Sequence, residues 1–271
     1  MTTSLITQRV FYDEIDISVQ MGNYRNNHYD ISYTVGEYIH IGTTFPFNHV
    51  WIELTKNANH TPDAPIIEVW YNNQWTAVVD IIDGTAGMQQ SGRISWATEL
   101  NSGWQMAEKS ETVGLPSTAI YNRYWVRFHW AGHFDSKLEY IGQKFSDDYS
   151  LAASYPDLLQ PAILEGFKTG KTTWDEQHFM AAEAVVKEIR KRNFVLARGQ
   201  VFDWTVFEDA CCHKVAEIVY NAFGAPYREA MIEARKKYNE ELNSRCFAVD
   251  SNANGHLDSM EQIEKQGWLT R

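Results

Sequence analysis

The stretch IIEVWYNNQWTAVVDII, residues 66–82, indicates most directly how the first half of the chain folds. Apolar and aromatic residues flank Asn72-Asn73, and asparagine tolerates the positive φ that a two-residue hairpin turn requires. The segment therefore predicts two antiparallel strands joined at Asn72-Asn73.

Similar short runs extend from this hairpin in both directions, from about residue 8 to residue 142. Turn residues separate them, as antiparallel strands require, and examples are ISYTV at 31, YIHIG at 38, VWIEL at 50 and YWVRFHW at 124. Seven of the ten tryptophans also lie in this half. We expect residues 1–142 to form an antiparallel β-sandwich domain.

The period of the apolar residues becomes helical after Tyr155-Pro156. The predicted apolar faces of three helices are Phe179, Ala182, Val186 and Ile189, then Phe207, Cys211, Val215, Ile218 and Ala222, then Tyr227, Met231, Ala234, Tyr238 and Leu242. Residues 143–248 are therefore expected to form a small antiparallel helical bundle, which gives the chain an α+β fold.

Capping signals predict where these helices begin and end. Thr173 is followed three residues later by Glu176, and Thr205 is followed by Glu208, a spacing typical of capping boxes. Gly224 is expected to end the second helix, and a proline two residues later suits the first turn of the third.

Residues 249–271 are predicted to contain a single EF-hand-like calcium loop, DSNANGHLDSME at 250–261. Calcium takes six to eight oxygen ligands, and Gly255 permits the sharp turn at the sixth loop position. The expected metal ligands are Asp250, Asn252, Asn254, the backbone carbonyl of His256, Asp258 and Glu261. With so few acidic ligands, we expect weak binding, with a dissociation constant of roughly 0.1–1 mM. The alternative is a solvated polar turn of the same composition.

Composition limits the classes of function. The 271 residues carry a formal charge of −11, which argues against a surface that neutralises nucleic-acid phosphates. No signal peptide and no run of about 18 apolar residues is seen, so we expect a soluble protein made in the cytoplasm, with no membrane partner. Three cysteines cannot pair completely, which favours reduced, buried thiols.

No catalytic constellation is evident in the sequence, and we expect a protein that is not an enzyme. Cys211, Cys212 and His213 are adjacent in a helix and point in different directions, so we expect Cys211 in the core and His213 at the surface. Asp80 and Asp83 would face opposite sides of a strand. The aromatic residues of the first half could form a sugar-stacking platform, although core packing is the commoner role of such residues.

Residues 145–249 resemble the head–tail adaptor, or head-completion, proteins of long-tailed bacteriophages. The resemblance rests on FSDDYSLAASYPDLLQPAILEGF, EQHFMAAEAVVKEIRKRN, WTVFEDACCHKVAEIVYNAFG and YREAMIEARKKYNEELN, in that order. It implies a non-enzymatic virion protein of the neck. Such a protein forms a ring, typically twelvefold, that binds the portal protein, lines the DNA channel without binding DNA specifically, and offers a docking surface to tail or neck proteins. The β half is an addition to that family's minimal form and is similar in outline to carbohydrate-binding modules.

A second interpretation is a glycan-binding β-sandwich protein that uses a dockerin-like calcium loop for attachment. Dockerins carry two such loops, whereas this chain shows one, and we expect no secretion signal. A third interpretation, a metal-dependent hydrolase, lacks an open catalytic site. The calcium loop has a purpose in the first interpretation, where an ordered tail could clip onto a neighbouring subunit or onto the portal.

Overall fold

The structure, a computed structural model, describes residues 8–22, 24, 28–59, 64–97, 103–107, 123–191 and 200–244. These residues form two compact units that divide between Gln143 and Lys144. The first, here called the β unit, contains two antiparallel sheets, and the second, the helical unit, contains five α-helices among its described residues.

The larger sheet of the β unit has seven strands. Their bounds are β1 Gln8–Tyr12, β2 Ile15–Asp16, β4 Ile39–Thr43, β6 Ile66–Tyr71, β7 Gln74–Ala77, β10 Met106–Ala107 and β11 Arg123–His129. The order across the sheet is β2-β1-β4-β11-β6-β7, and β10 also pairs with β11.

The smaller sheet has five strands in the order β3-β12-β5-β9-β8. Their bounds are β3 Tyr29–Tyr33, β5 His49–Lys56, β8 Ile82–Asp83, β9 Gly92–Ser95 and β12 Phe134–Gly142. A single turn of helix, α1 Ser18–Met21, lies between β2 and β3. Both sheets contribute side chains to one buried core, among them Ile41, Val69, Val126 and Phe128 from the larger and Ile31, Ile52, Ile94 and Leu138 from the smaller.

The predicted hairpin is present between β6 and β7. Tyr71 pairs with Gln74, and Asn72 and Asn73 have φ values of 49° and 61°. Positive φ at both central residues is the backbone requirement of the tightest hairpin turn, which explains the asparagine pair.

The strand predicted through residues 74–82 is shorter than expected. The strand β7 ends at Ala77, Asp80 adopts a φ of 52°, and β8 begins only at Ile82. The carboxylate of Asp83 accepts hydrogen bonds from the Thr85 backbone, the Thr85 hydroxyl and the Gly87 backbone. The two aspartates therefore do not lie on opposite faces of one strand, because the chain turns between them and Asp83 organises the next turn.

The helical unit is built from α2 Asp148–Ser154, α3 Pro161–Phe167, α4 Asp175–Lys191, α5 Glu208–Phe223 and α6 Arg228–Ser244. Single 3-10 turns accompany them at Pro156–Leu159, Trp204–Phe207 and Ala225–Tyr227. The prediction of three helices of 15 to 20 residues is confirmed, since α4, α5 and α6 have 17, 16 and 17 residues. The helix α5 contacts both of the others.

The apolar faces of the helices agree in part with the prediction. In α6, Ala234, Tyr238 and Leu242 are buried as predicted, whereas in α5 Ala222 is exposed. The buried face of α5 includes the predicted Cys211 and Val215, together with Ala210, Cys212, Ala216, Glu217 and Val219. This face is wider than a stripe spaced by three and four, because α5 is covered by α4 on one side and by α6 on another.

The capping predictions differ in outcome. The helix α4 begins at Asp175, one residue later than a cap at Thr173 implies. The predicted capping box at Thr205 and Glu208 is wrong, because the chain makes a 3-10 turn through Thr205, whose hydroxyl donates to the Asp203 carboxylate at 2.5 Å. A capping box does occur at Asp147, whose carboxylate accepts the Ser150 backbone N–H while the Ser150 hydroxyl bonds the Asp147 N–H.

Within the part of the chain that the structure describes, no helix is long and apolar enough to cross a lipid bilayer.

Gly224 ends α5 with φ 76° and ψ −141°. Its φ is positive as expected, but its ψ lies outside the left-handed helical region and in a region that is nearly exclusive to glycine. A Cβ atom there would meet nothing within 4 Å, so a substitution tests backbone strain alone.

We expect Gly224→Val to lower the free energy of unfolding of the helical unit by about 1–3 kcal/mol, measured by urea denaturation. The matched control is Gly166→Ala in α3, where the added methyl would meet Phe223 at an ordinary 3.5 Å and stability should not fall. Equal denaturation midpoints for Gly224→Val and the unaltered protein would contradict this account of the helix end.

Candidate functional site

The predicted calcium ligands Asp250, Asn252, Asn254, His256, Asp258 and Glu261 lie outside the described residues. Among the residues that are described, no group of three or more His, Cys, Asp or Glu side chains is arranged to hold a metal ion. The calcium loop therefore stays a prediction.

The adjacent cysteines of α5 are both buried and free of disulfide bonds. Burial raises the pKa of Cys212 to about 12, and its thiol lies 3.5 Å from the Ser150 hydroxyl. Such a thiol stays protonated at neutral pH and is a poor nucleophile and metal ligand. Core packing is thus the role that the geometry of Cys211 and Cys212 supports.

His213 is half-buried rather than at the helix surface, so that prediction is wrong. Its Nδ1 atom lies 2.8 Å from the Tyr155 hydroxyl, and the two rings meet edge to face. Burial lowers the pKa of His213 and raises that of Tyr155 to about 12. The residue before Pro156 covers this side of α5, a tertiary contact that the periodicity of α5 itself cannot reveal.

A buried serine and a buried histidine form a hydrogen-bonded chain with a partly exposed aspartate at the start of the helical unit. Ser146 Oγ lies 2.7 Å from His178 Nδ1, and His178 Nε2 lies 3.1 Å from Asp148 Oδ1. Nucleophilic catalysis by such a chain needs a hydroxyl that substrate can reach, whereas Ser146 and His178 are fully buried. The Asp148 carboxylate also accepts the Trp174 backbone N–H, so the chain ties α2 to the start of α4.

A buried ion pair lies beside this chain. Lys144 is fully buried, and its Nζ atom lies 2.6 Å from Asp175 Oδ1 at the first residue of α4. Burial would raise the pKa of Asp175, but the Lys144 ammonium outweighs this effect and the net shift is downward. An aspartate in the first helical turn also interacts favourably with the helix dipole.

The face of the larger sheet opposite Val126 and Phe128 carries a different polar cluster. We call Tyr38, His40, Glu68, Trp75 and Arg127 the sheet-face cluster. The guanidinium of Arg127 lies over the Tyr38 ring at 4.3 Å and over the Trp75 ring at 4.5 Å from their centroids. Its Nε atom donates to Glu68 Oε2 at 2.5 Å. Stacking on two rings and the ion pair together hold the guanidinium in one orientation.

Neutral imidazoles accompany the ion pair. His40 is only 4% exposed, and burial lowers its pKa to about 3, with Arg127 lowering it further. Burial also lowers the pKa of His129, whose Nε2 atom lies 3.5 Å from Glu68 Oε2. Both rings are therefore uncharged at neutral pH, and the positive charge of Arg127 is balanced by Glu68.

The sequence suggests a sugar-stacking platform in this half as an alternative to core packing, but it does not indicate which residues would form it. Alternation along YWVRFHW does show that Arg127 and His129 lie on the face opposite Val126 and Phe128. The side chains that contact Arg127 come from the residue before β4, from β6 and from β7. Only the sheet register, which the sequence does not specify, brings them together.

No family model matches the chain, and a search of curated proteins gives no significant match.

The Lys144–Asp175 pair leads to a prediction about stability. Asp175→Asn removes the carboxylate that pairs with a buried ammonium, and we expect it to cost about 3–5 kcal/mol in the free energy of unfolding. The matched control is the double variant Lys144→Met with Asp175→Leu, which replaces the pair by apolar side chains and should recover most of the loss.

The same pair predicts a pH dependence. Because the folded-state pKa of Asp175 is lowered, its contribution is complete above the ordinary aspartate pKa of about 3.9 and is lost as the pH falls through the lowered value. Thermal unfolding followed by far-UV circular dichroism across this range should show a steeper acid loss for the unaltered protein than for Asp175→Asn. Parallel curves would show that the pair does not stabilise the fold.

Proposed function

We propose that this chain is a structural virion protein of the bacteriophage neck. In this proposal the helical unit forms a ring, typically of twelve copies, below the portal, and joins the head to tail or neck proteins. The observation that carries it is the resemblance of residues 145–249 to head–tail adaptor proteins. The order and lengths of α4, α5 and α6 are consistent with the helices on which that resemblance was based.

Electrostatics are compatible with this role. The formal charge of −11 opposes adhesion of DNA phosphates, so a channel lined by such subunits lets DNA pass without specific binding. We further propose that the two sheets form a β-sandwich, which the neck presents as an accessory domain on the α+β chain.

The proposed function is tested by negative-stain electron microscopy of the purified protein. The full chain is imaged alone and after mixing with phage particles that lack this component. Closed rings, or restored neck density with attached tails, are the expected results. A persistent monomer that neither closes nor attaches to particles would overturn the proposal.

In this proposal the predicted calcium loop fastens the C-terminal segment to a binding partner. Subunits of a ring meet through heterologous contacts, and a tail ordered by calcium adds binding energy at such a contact only once it is folded. We propose that the segment at 250–261 binds calcium and fastens the tail to a neighbouring subunit or to the portal.

We expect Glu261→Gln to weaken calcium binding, because it replaces the bidentate carboxylate at the last loop position. Isothermal titration calorimetry with calcium chloride measures the effect on the full chain. Glu240→Gln, at an exposed position of α6, is the matched control and should bind as the unaltered protein does. Identical calcium heats for both variants would count against the loop, and unchanged ring assembly after chelation would count against its fastening role.

A further inference from the structure

Three members of the sheet-face cluster form one row across three neighbouring strands. Arg127 on β11 lies directly opposite His40 on β4 and Glu68 on β6. Side chains opposite each other in antiparallel strands point to the same face of the sheet. Val126 and Phe128 point into the core shared by the two sheets, so this row lies on the opposite face of the larger sheet. Phe11, in register with His40, is also buried on this face, while Arg127 and Glu68 keep side-chain exposures of 18% and 17%.

The guanidinium of Arg127 is held in one orientation, but not all of its N–H donors have a hydrogen-bond partner among the described residues. Its side chain is 18% exposed, and among the described residues only its Nε group has a hydrogen-bond partner. A guanidinium has five N–H donors, so the terminal groups remain available to a ligand. Because the ion pair and the two rings already fix the side chain, a ligand would not have to order it on binding.

His40 gives a second, independent sign of a ligand. It is buried beside the rings of Tyr38 and Trp75, with centroids 5.7 Å away in each case. Neither of its ring nitrogens has a hydrogen-bond partner within the described ranges. Buried polar atoms without partners are rare, and a neutral imidazole offers one donor and one acceptor.

The charges of the cluster select the chemistry of the ligand. Glu68 balances Arg127 and would repel a phosphate or carboxylate, while the polar groups of His40 and Arg127 would be desolvated by an apolar ligand. Hydroxyl groups both donate and accept hydrogen bonds, and the apolar faces of sugar rings pack on aromatic side chains. We propose that the sheet-face cluster is a binding site for a neutral saccharide. The site lies wholly in the β unit and does not depend on the proposed function of the helical unit.

The first experiment measures binding of the full chain to named probes by isothermal titration calorimetry. The neutral probes are cellohexaose, xylohexaose, maltohexaose, laminarihexaose and mannohexaose, and the anionic probe is hexagalacturonic acid. Saturable binding of at least one neutral probe is expected. Absence of binding to all five neutral probes, or tighter binding of the anionic probe, would overturn the proposal.

Variants then locate the site with the neutral probe that binds best. Trp75→Ala removes one stacking ring, and Arg127→Lys keeps the charge but loses the planar donor fork. Each is expected to weaken binding by about tenfold or more. The matched control is Tyr149→Ala, an aromatic residue that is 90% exposed in the helical unit, which should leave binding unchanged. Near-UV circular dichroism and Tm show whether each variant keeps its fold.

Glu68→Gln tests the role of charge with an isosteric side chain. It leaves Arg127 without its balancing carboxylate, so affinity for hexagalacturonic acid should rise while affinity for the neutral probe falls. Folded Trp75→Ala and Arg127→Lys variants with unaltered affinity would exclude this face as the site. If Glu68→Gln and the unaltered protein show the same ratio of affinities for the neutral and the anionic probe, the proposal that Glu68 selects neutral saccharides is wrong.

Discussion

The alternation of side chains along β11 is the constraint on which the β unit depends. This strand pairs with β4 on one side and with β6 on the other, and its buried residues Val126 and Phe128 alternate with Arg127 and His129. A shift in register by one residue would bring the guanidinium of Arg127 into the core and expose Phe128. The cost of burying that charge among apolar side chains fixes the same register that assembles the sheet-face cluster.

Turn residues and apolar periodicity predicted the elements whose conformation depends mainly on neighbouring residues in the chain. The Asn72-Asn73 turn follows from backbone preferences at two residues, and the extents of α4, α5 and α6 follow from periodicity and chain-breaking residues. Features that depend on distant contacts could not be predicted in this way. The half-burial of His213 depends on Tyr155, and the partners of Arg127 depend on a strand order in which β11 lies between β4 and β6. The adjacency of β11 to strands far earlier in the chain has no local signature.

The helical unit begins with polar contacts rather than with apolar packing alone. Ser146, Asp148 and Lys144 lie within a few residues of each other, and each contacts α4 or the residue before it through a charged or hydrogen-bonded group. Hydrogen bonds require particular distances and angles, whereas apolar contacts tolerate sliding. The start of α4 is therefore held in one axial position relative to α2, which specifies how the core residues of α4 meet those of α5. In a ring, where the angle of each contact is repeated at every interface, such fixed helix positions allow closure.

The proposed ring and the proposed saccharide site have a joint physical consequence. The side chains of Arg127 and Glu68 are only 18% and 17% exposed, so the proposed site offers a single saccharide few contacts and gives modest affinity. The proposed ring would carry many copies of the β unit, and polysaccharides present many copies of the ligand. Once one site is occupied, the others bind at high effective concentration, and the overall affinity rises by about 10²–10⁴-fold without any new contact. If both proposals hold, weak recognition by each β unit would become strong attachment only in the assembled ring, and a free subunit would compete poorly for the same polysaccharide.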